Sequence, residues 1–280
     1  MIVQCGSRPQ PAQSSSPQNA DSGREVPTVR SLAQVLLPLS ETPPAEVRRP
    51  VFSQRWHDLT MVHWPVDPAL VAPLLPAGTT PDLHAGMTYV GLVPFVMGSV
   101  RVLGTPPLPW LSAFPETNIR LYAVDEQGRR GVVFRSLEAS RLLPVLVARA
   151  AYRLPYCWAR MAVRHGSTPP TVSYETSRRW PGPRRAGGVV RVTVGPRVAI
   201  DPLTLFLTAR WGLFSRFPGG RTAWAPVAHE PWQVHSAELV DLHDDLVMAA
   251  GLPEPTGTPS VLWSPGVTVR IGRPTLLPPG

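Results

Sequence analysis

The 36 prolines of this 280-residue chain limit it to short regular elements. Proline lacks a backbone N–H and clashes with the preceding helical turn. It therefore ends helices and is confined to strand edges, strand starts and bulges. What lies between the prolines reads chiefly as strands. Residues 58–64, 118–124, 132–137, 158–164, 171–178, 189–194, 222–228, 232–239 and 261–271 are strand-like runs bounded by turn residues. A longer run, 87–102, is interrupted by Gly91, Pro94 and Gly98, which predicts bulges or a strong bend. DEQGRRG, between 118–124 and 132–137, predicts a hairpin. Helices are few. Asp67-Pro68 and Asp201-Pro202 each set a capping carboxylate before a proline at the first helical position. The first predicts a helix through Leu75, the second a helix whose apolar face comes from LTLFLTARWGLF. Residues 144–154 and 243–250 are the other helical candidates. The pattern predicts an α+β protein, mainly antiparallel β, and so many strand edges favour closure into a barrel or cone.

Residues 1–28 are rich in Ser, Pro and Gln and cannot bury a core. Residues 29–39 could form one amphipathic helix ending at Pro38, and 40–50 again read as linker. The expectation is a disordered tail and linker over 1–48, then a single barrel domain over 49–280.

The formal charge of +8 and pI near 10.6 raise the question of polyanion binding. The arginines are scattered, pairs such as Arg129-Arg130 sit beside turn residues, and no zinc-finger or RNP-like motif occurs. No nucleic-acid partner is expected. Cys5 and Cys157 are far apart, with Cys5 in the polar tail, which argues against a disulfide and for a reducing cytoplasm. The first residues lack a secretory apolar region, and no run of 18 apolar residues is free of charge or proline. The expected setting is cytoplasmic, without a membrane.

All 27 basic residues are arginine; lysine is absent. No side chain can then form a Schiff base with a carbonyl substrate or pyridoxal phosphate, because guanidinium stays protonated and is not a nucleophile.

The ordered segments HWPVDPALVAPLLPAG, TYVGLVPFVMGSVRVLG, SAFPETNIRLYA, GVVFRSLEAS and ARAAYRLPY resemble the YqjF-like proteins, domain of unknown function 2071, grouped with the acetoacetate decarboxylase-like superfamily. The resemblance runs from about Arg55 to Arg178 and more weakly to the C-terminus. It implies a cone-like, mostly antiparallel barrel around an apolar pocket, and no settled activity. In the decarboxylases the reactive lysine follows an aromatic-Pro pair. The similar stretch here is Phe114 to Asn118, which sets Glu116 at or beside the lysine's place and rules out amine catalysis.

Glu116, Asn118 and Arg120 alternate, so on a strand they share one face. In a barrel wall they would bring a carboxylate, an amide and a guanidinium together, with Glu116 as candidate acid or base and Asn118 and Arg120 as ligand contacts. The structural alternative is a buried Glu116–Arg120 bridge. His57 and His63 bracket 58–62 and, six apart, would share a face; His63 is a candidate ligand contact. Tyr152 and Tyr156 could supply pocket hydroxyls, Tyr152 being the candidate carried forward. Ser136 and Glu138 share a face, opposite Arg135 and Leu137. His229, Glu230 and His235, with His243, Asp244 and Asp245, form the richest titratable cluster. They lack any strong metal-binding spacing, so no metal is expected. Cys157 reads as a core residue. No nucleotide-binding or nucleophile-elbow motif occurs, and no cofactor is expected.

The functional expectation is a pocket for an organic acid or carbonyl compound, with cofactor-independent lyase- or isomerase-type acid–base chemistry. A non-catalytic binding protein is the alternative, and a polyanion-binding module a third. The ligand and the oligomeric state are left open.

Overall fold

The computed structural model describes residues 36–106, 113–142, 149–150 and 152–278. The expected tail over 1–35, most of the expected helix over 29–39, and residues 144–148 and 151 of the expected helix over 144–154 lie outside them. The strands are β1 (Phe52–Val66), β2 (Thr79–Pro81), β3 (Thr88–Val102), β4 (Phe114–Asp125), β5 (Arg130–Ala139), β6 (Tyr156–Ser167), β7 (Pro170–Trp180), β8 (Gly187–Arg197), β9 (Gly212–Arg216), β10 (Thr222–His229), β11 (His235–Asp244), β12 (Ser260–Ile271) and β13 (Thr275–Leu276). Among the helices within the described residues are α1 (Pro68–Val71), α2 (Pro202–Thr208) and α3 (Leu246–Ala249).

All described strands join one sheet of order β13-β10-β9-β5-β6-β7-β8-β11-β12-β1-β3-β4-β2. Pairings are antiparallel except β5–β6 and β5–β9, which are parallel. Two further pairings close the sheet. Because β4 also pairs with β5, the path from β5 through β6, β7, β8, β11, β12, β1 and β3 to β4 returns to its start. Because β10 also pairs with β12, β9 and β10 bridge β5 to β12 and close a second ring on the same shared wall. Closure removes most free edges.

The sequence signals act locally as expected at the caps. Asp67 Oδ1 accepts from the Ala69 N–H and Asp201 Oδ1 from the Thr204 N–H. Other elements differ. The first helix is one α turn followed by a 3-10 turn, Ala72–Leu74. LTLFLTARWGLF is not one helix: α2 stops at Thr208, Arg210 turns back to bond the Phe206 carbonyl, and Gly212 begins β9. A Cβ on Gly212 would lie 1.8 Å from the Trp224 ring, so only glycine lets this strand pass. Residues 36–50, read above as linker to 48, touch the unit that spans 34–280. The Leu37 N–H donates to Gly128 O at 3.1 Å, Trp211 Nε1 to Ser40 O at 3.0 Å, and Val47 is buried.

β4 is buried on both faces. Ile119, Leu121 and Ala123 pack with Val62, Leu92, Tyr174, Val190 and Leu246 into the filled interior beside β7 and β8. The alternate residues Glu116, Asn118 and Arg120 point the other way, toward the interior bounded by β5, β9 and β10. A bulge at Asp58, with φ +51°, shifts the β1–β3 register between His57 and Val62. Trp56 therefore clusters with Leu59 and Met61, on the side opposite Val62 and Trp64.

Candidate functional site

The second interior is not filled. It holds a cavity of about 270 Å³ walled by β1, β3, β4, β5, β9, β10 and the segments around Tyr152, Arg210 and Trp232. Most of the wall is apolar: Phe52, Trp56, Met97, Phe114, Phe134 and Ile271 contribute. That volume sits just under the common ligand-pocket span of about 300–1,000 Å³, a size for a small metabolite.

The structure places Glu116, Asn118, Arg120 and Tyr152 in this wall. Glu116 is 2% exposed, and its Oε2 accepts from the Tyr156 hydroxyl at 3.1 Å. Burial pushes its carboxyl up to about 8, against the opposing pull of the Tyr156 bond and the Arg120 charge; Glu138 adds to the rise. Arg120 Nε donates to Asn118 Oδ1 at 3.0 Å. The considered Glu116–Arg120 bridge does not form: among the described residues Arg120 makes no ion pair. Tyr152 donates to Gly272 O at 3.3 Å.

His63 is not brought to the cavity wall. It is fully buried, with Nε2 2.6 Å from the Tyr122 hydroxyl, which itself donates to Leu207 O. Burial first, then the Arg120 and Arg210 charges, hold it well below its usual value, so it is neutral. In register, His63, Gly91 and Arg120 form one row across β1, β3 and β4. A Cβ at Gly91 would meet His63 Nε2 at 2.7 Å and Arg120 Cγ at 2.9 Å. His63 thus backs Arg120 across a glycine and does not face the ligand space. His57 does not share its face, because the Asp58 bulge inverts the alternation. It bonds Asp58, which also meets His165.

The wall also holds Arg210 and Trp232, which the sequence does not single out, and His229, which it singles out only as part of a titratable cluster. Arg210 pairs with Asp82, lies over the Tyr122 and Phe206 rings, and bonds the Phe206 carbonyl. His229 stands between Trp211 and Trp232, at ring-centroid distances of 4.4 and 4.9 Å. Its supposed companion His235 instead bonds Gly195 O beside Trp263. Alternation patterns do not find these residues, because Arg210 lies within the segment read as one helix, Trp232 lies between β10 and β11, and the inward face of β10, which carries His229, depends on ring closure.

Elsewhere, Glu138 closes a two-bond ion pair with Arg178, at 2.6 and 3.1 Å. Arg135 bonds the Ala250 and Leu74 carbonyls. Asp244 caps α3 through Leu246 and Val247. Cys157 is free and buried. Among the described residues no group of three or more His, Cys, Asp or Glu is placed to hold a metal ion, and no helix is long and apolar enough to cross a membrane.

The sequence matches DUF2071, a family of uncharacterized conserved proteins, over residues 53–268. This chain belongs to that family. A curated relative, the uncharacterized protein YqjF of Bacillus subtilis strain 168, is 29% identical over 211 residues, 75% of this chain and 85% of the relative. The fold is that of acetoacetate decarboxylase-like proteins. The enduracididine biosynthesis enzyme MppR complexed with pyruvate superposes with a TM-score of 0.59 at 18% identity, covering 87% of this chain and 97% of that one. Acetoacetate decarboxylase from Legionella pneumophila gives 0.57 at 12% identity, covering 84% and 92%. An acetoacetate decarboxylase-like enzyme from Sphingomonas wittichii RW1 gives 0.54 at 14%, covering 84% and 96%.

Proposed function

We propose that the cavity binds a small organic acid carrying a carbonyl group, with Arg120 receiving the carboxylate and Glu116 exchanging a proton with the ligand. The observation that carries this reading is the state of Arg120. Three arginines are among the buried residues, Arg120, Arg178 and Arg210. Arg178 and Arg210 each meet a buried carboxylate. Among the described residues Arg120 meets none, and burial raises the carboxyl of Glu116, the acid whose charge bears on it, to about 8. An uncompensated guanidinium in an apolar wall costs several kcal/mol in the empty state, and a bound anion removes that cost. The Glu116 carboxylic acid can donate to a carbonyl oxygen, as a carboxylate could not. A structural neighbour complexed with pyruvate supports a short oxo acid as the ligand class.

Without lysine, no side chain here can carry turnover through an imine. The separated cysteines support a cytoplasmic setting. The test is to denature the purified protein and identify the released small molecules by mass spectrometry. A carboxylic acid should accompany the unaltered protein and be lost from Arg120→Met. A neutral or cationic compound retained by both would contradict the reading.

A further inference from the structure

The mechanism sketched above has an acid, Glu116, and a receiver for the anion, Arg120, but no base. The cavity wall contains one. His229 Nδ1 lies 2.7 Å from Glu230 O. A carbonyl oxygen only accepts, so Nδ1 carries the proton of the neutral ring and Nε2 keeps its lone pair. Among the described residues no protein group bonds Nε2. The ring cannot turn freely. It is held between Trp211 and Trp232, and each indole is itself tied to the backbone, Trp211 Nε1 to Ser40 O and Trp232 Nε1 to Thr208 O. This is a histidine with a set tautomer and a set plane, in the same wall as Glu116, whose carboxyl burial raises, and Arg120, which makes no ion pair among the described residues.

We propose that His229 is the proton acceptor of this cavity and that, with Glu116 as proton donor and Arg120 as anchor, it enolises a short 2-oxo carboxylate. The inference rests on the binding reading above. The carboxylate lies on Arg120 and the ketone oxygen takes the Glu116 proton. The C–H electron pair on the carbon next to the ketone becomes the C=C bond of the enol as that proton passes to Nε2. The products are the enol, an imidazolium at His229 and a carboxylate at Glu116. Reversal returns the oxo acid, with a solvent-derived hydrogen after Nε2 has exchanged with water. No electrons leave the ligand and no co-reactant is needed.

The electrostatics agree with the roles. Burial lowers His229, the Glu230 carbonyl and charge oppose that, and Arg120 adds to the lowering, so the resting ring is a neutral base. Glu116 is raised to about 8 and rests as an acid. Two titratable groups pushed apart in opposite senses are the mark of an acid–base pair.

The experiment follows exchange of the methyl protons of pyruvate in D₂O by NMR, with the full chain, alongside calorimetric titration of pyruvate. The unaltered protein should exchange the methyl protons faster than buffer. His229→Gln should slow exchange at saturating pyruvate by at least about 100-fold, the usual contribution of a positioned base. The rate of the unaltered protein should also fall as pH drops through the lowered range of His229, and fall again above about 8, where Glu116 loses its proton. That profile needs no variant to fold. Binding that depends on Arg120 with exchange no faster than buffer would overturn the inference and leave the binding reading intact. Unslowed exchange in His229→Gln would remove His229 from the role. Absence of pyruvate binding would overturn the inference, and absence of binding by any short carboxylate would overturn the binding reading as well.

Discussion

On one side of β4, Ile119, Leu121 and Ala123 meet Val62, Leu92 and Tyr174 in a buried apolar cluster. On the other, Glu116, Asn118 and Arg120 face a space of about 270 Å³. The two interiors share a wall and differ in how they treat charge. Beside β7, Glu138 and Arg178 are buried together and satisfy one another. In the hollow interior, Glu116 and Arg120 are buried apart, each bonded to a neutral neighbour, Tyr156 and Asn118. The hollow side also buries one ion pair, Arg210 with Asp82, yet Glu116 and Arg120, on the same face of β4, do not pair with each other. On the proposed reading, the filled side serves stability and the hollow side an occupant.

The largest expected effect tests that division. Arg178→Met should destabilise by about 3–5 kcal/mol in urea unfolding, because it strands Glu138 at zero exposure. Arg120→Met should cost far less, or stabilise the empty protein, since it removes a buried charge that closes no ion pair among the described residues. Equal losses from both would erase the comparison.

The pH dependence of stability comes next. Glu116 has its folded value raised from 4.5 to about 8, so the folded state holds a proton that the unfolded state releases. Its contribution is full below 4.5 and is lost progressively as pH rises through about 8. Glu116→Gln should flatten that decline, gaining on the unaltered protein as pH rises. A parallel decline in the variant would show that Glu116 is already ionised. Gly91→Ala should cost about 1–3 kcal/mol through overpacking. Because its Cβ would strike both His63 and Arg120, it should weaken carboxylate binding too; unaltered binding would free Arg120 from its His63 backing. The smallest effect is expected of Tyr156→Phe, about 0.5–1.5 kcal/mol for one hydrogen bond. The Tyr156 bond favours the Glu116 carboxylate, so its loss should move the Glu116 titration above 8, as read by carboxyl NMR.

Much of β4 was legible beforehand. Alternation along 116–120 put the three polar groups on one face, and the register with β3 keeps that alternation intact. The same rule failed for His57 and His63, because a single bulge at Asp58 inverts the period and no local residue type announces it. The 202–214 segment was misread as one apolar helix. Its break is set by Trp224, more than ten residues later in the chain, against which Gly212 must pass. His229 carried a visible signal as a titratable residue near others. The meaning of that signal depended on which rings flank it, and Trp211 reaches it only once β9 and β10 have paired.

The central claim is that the hollow interior is an anion site organised by Arg120, and titration calorimetry tests it directly. A panel of short 2-oxo and 3-oxo monocarboxylates, pyruvate among them, is titrated into the unaltered protein and into Arg120→Met. The account predicts that at least one acid binds the unaltered protein and that Arg120→Met loses about 2–5 kcal/mol of that affinity, the cost of removing one partner of a buried charge pair. Binding of equal strength to both proteins, or no binding by any of the acids to the unaltered one, would contradict it.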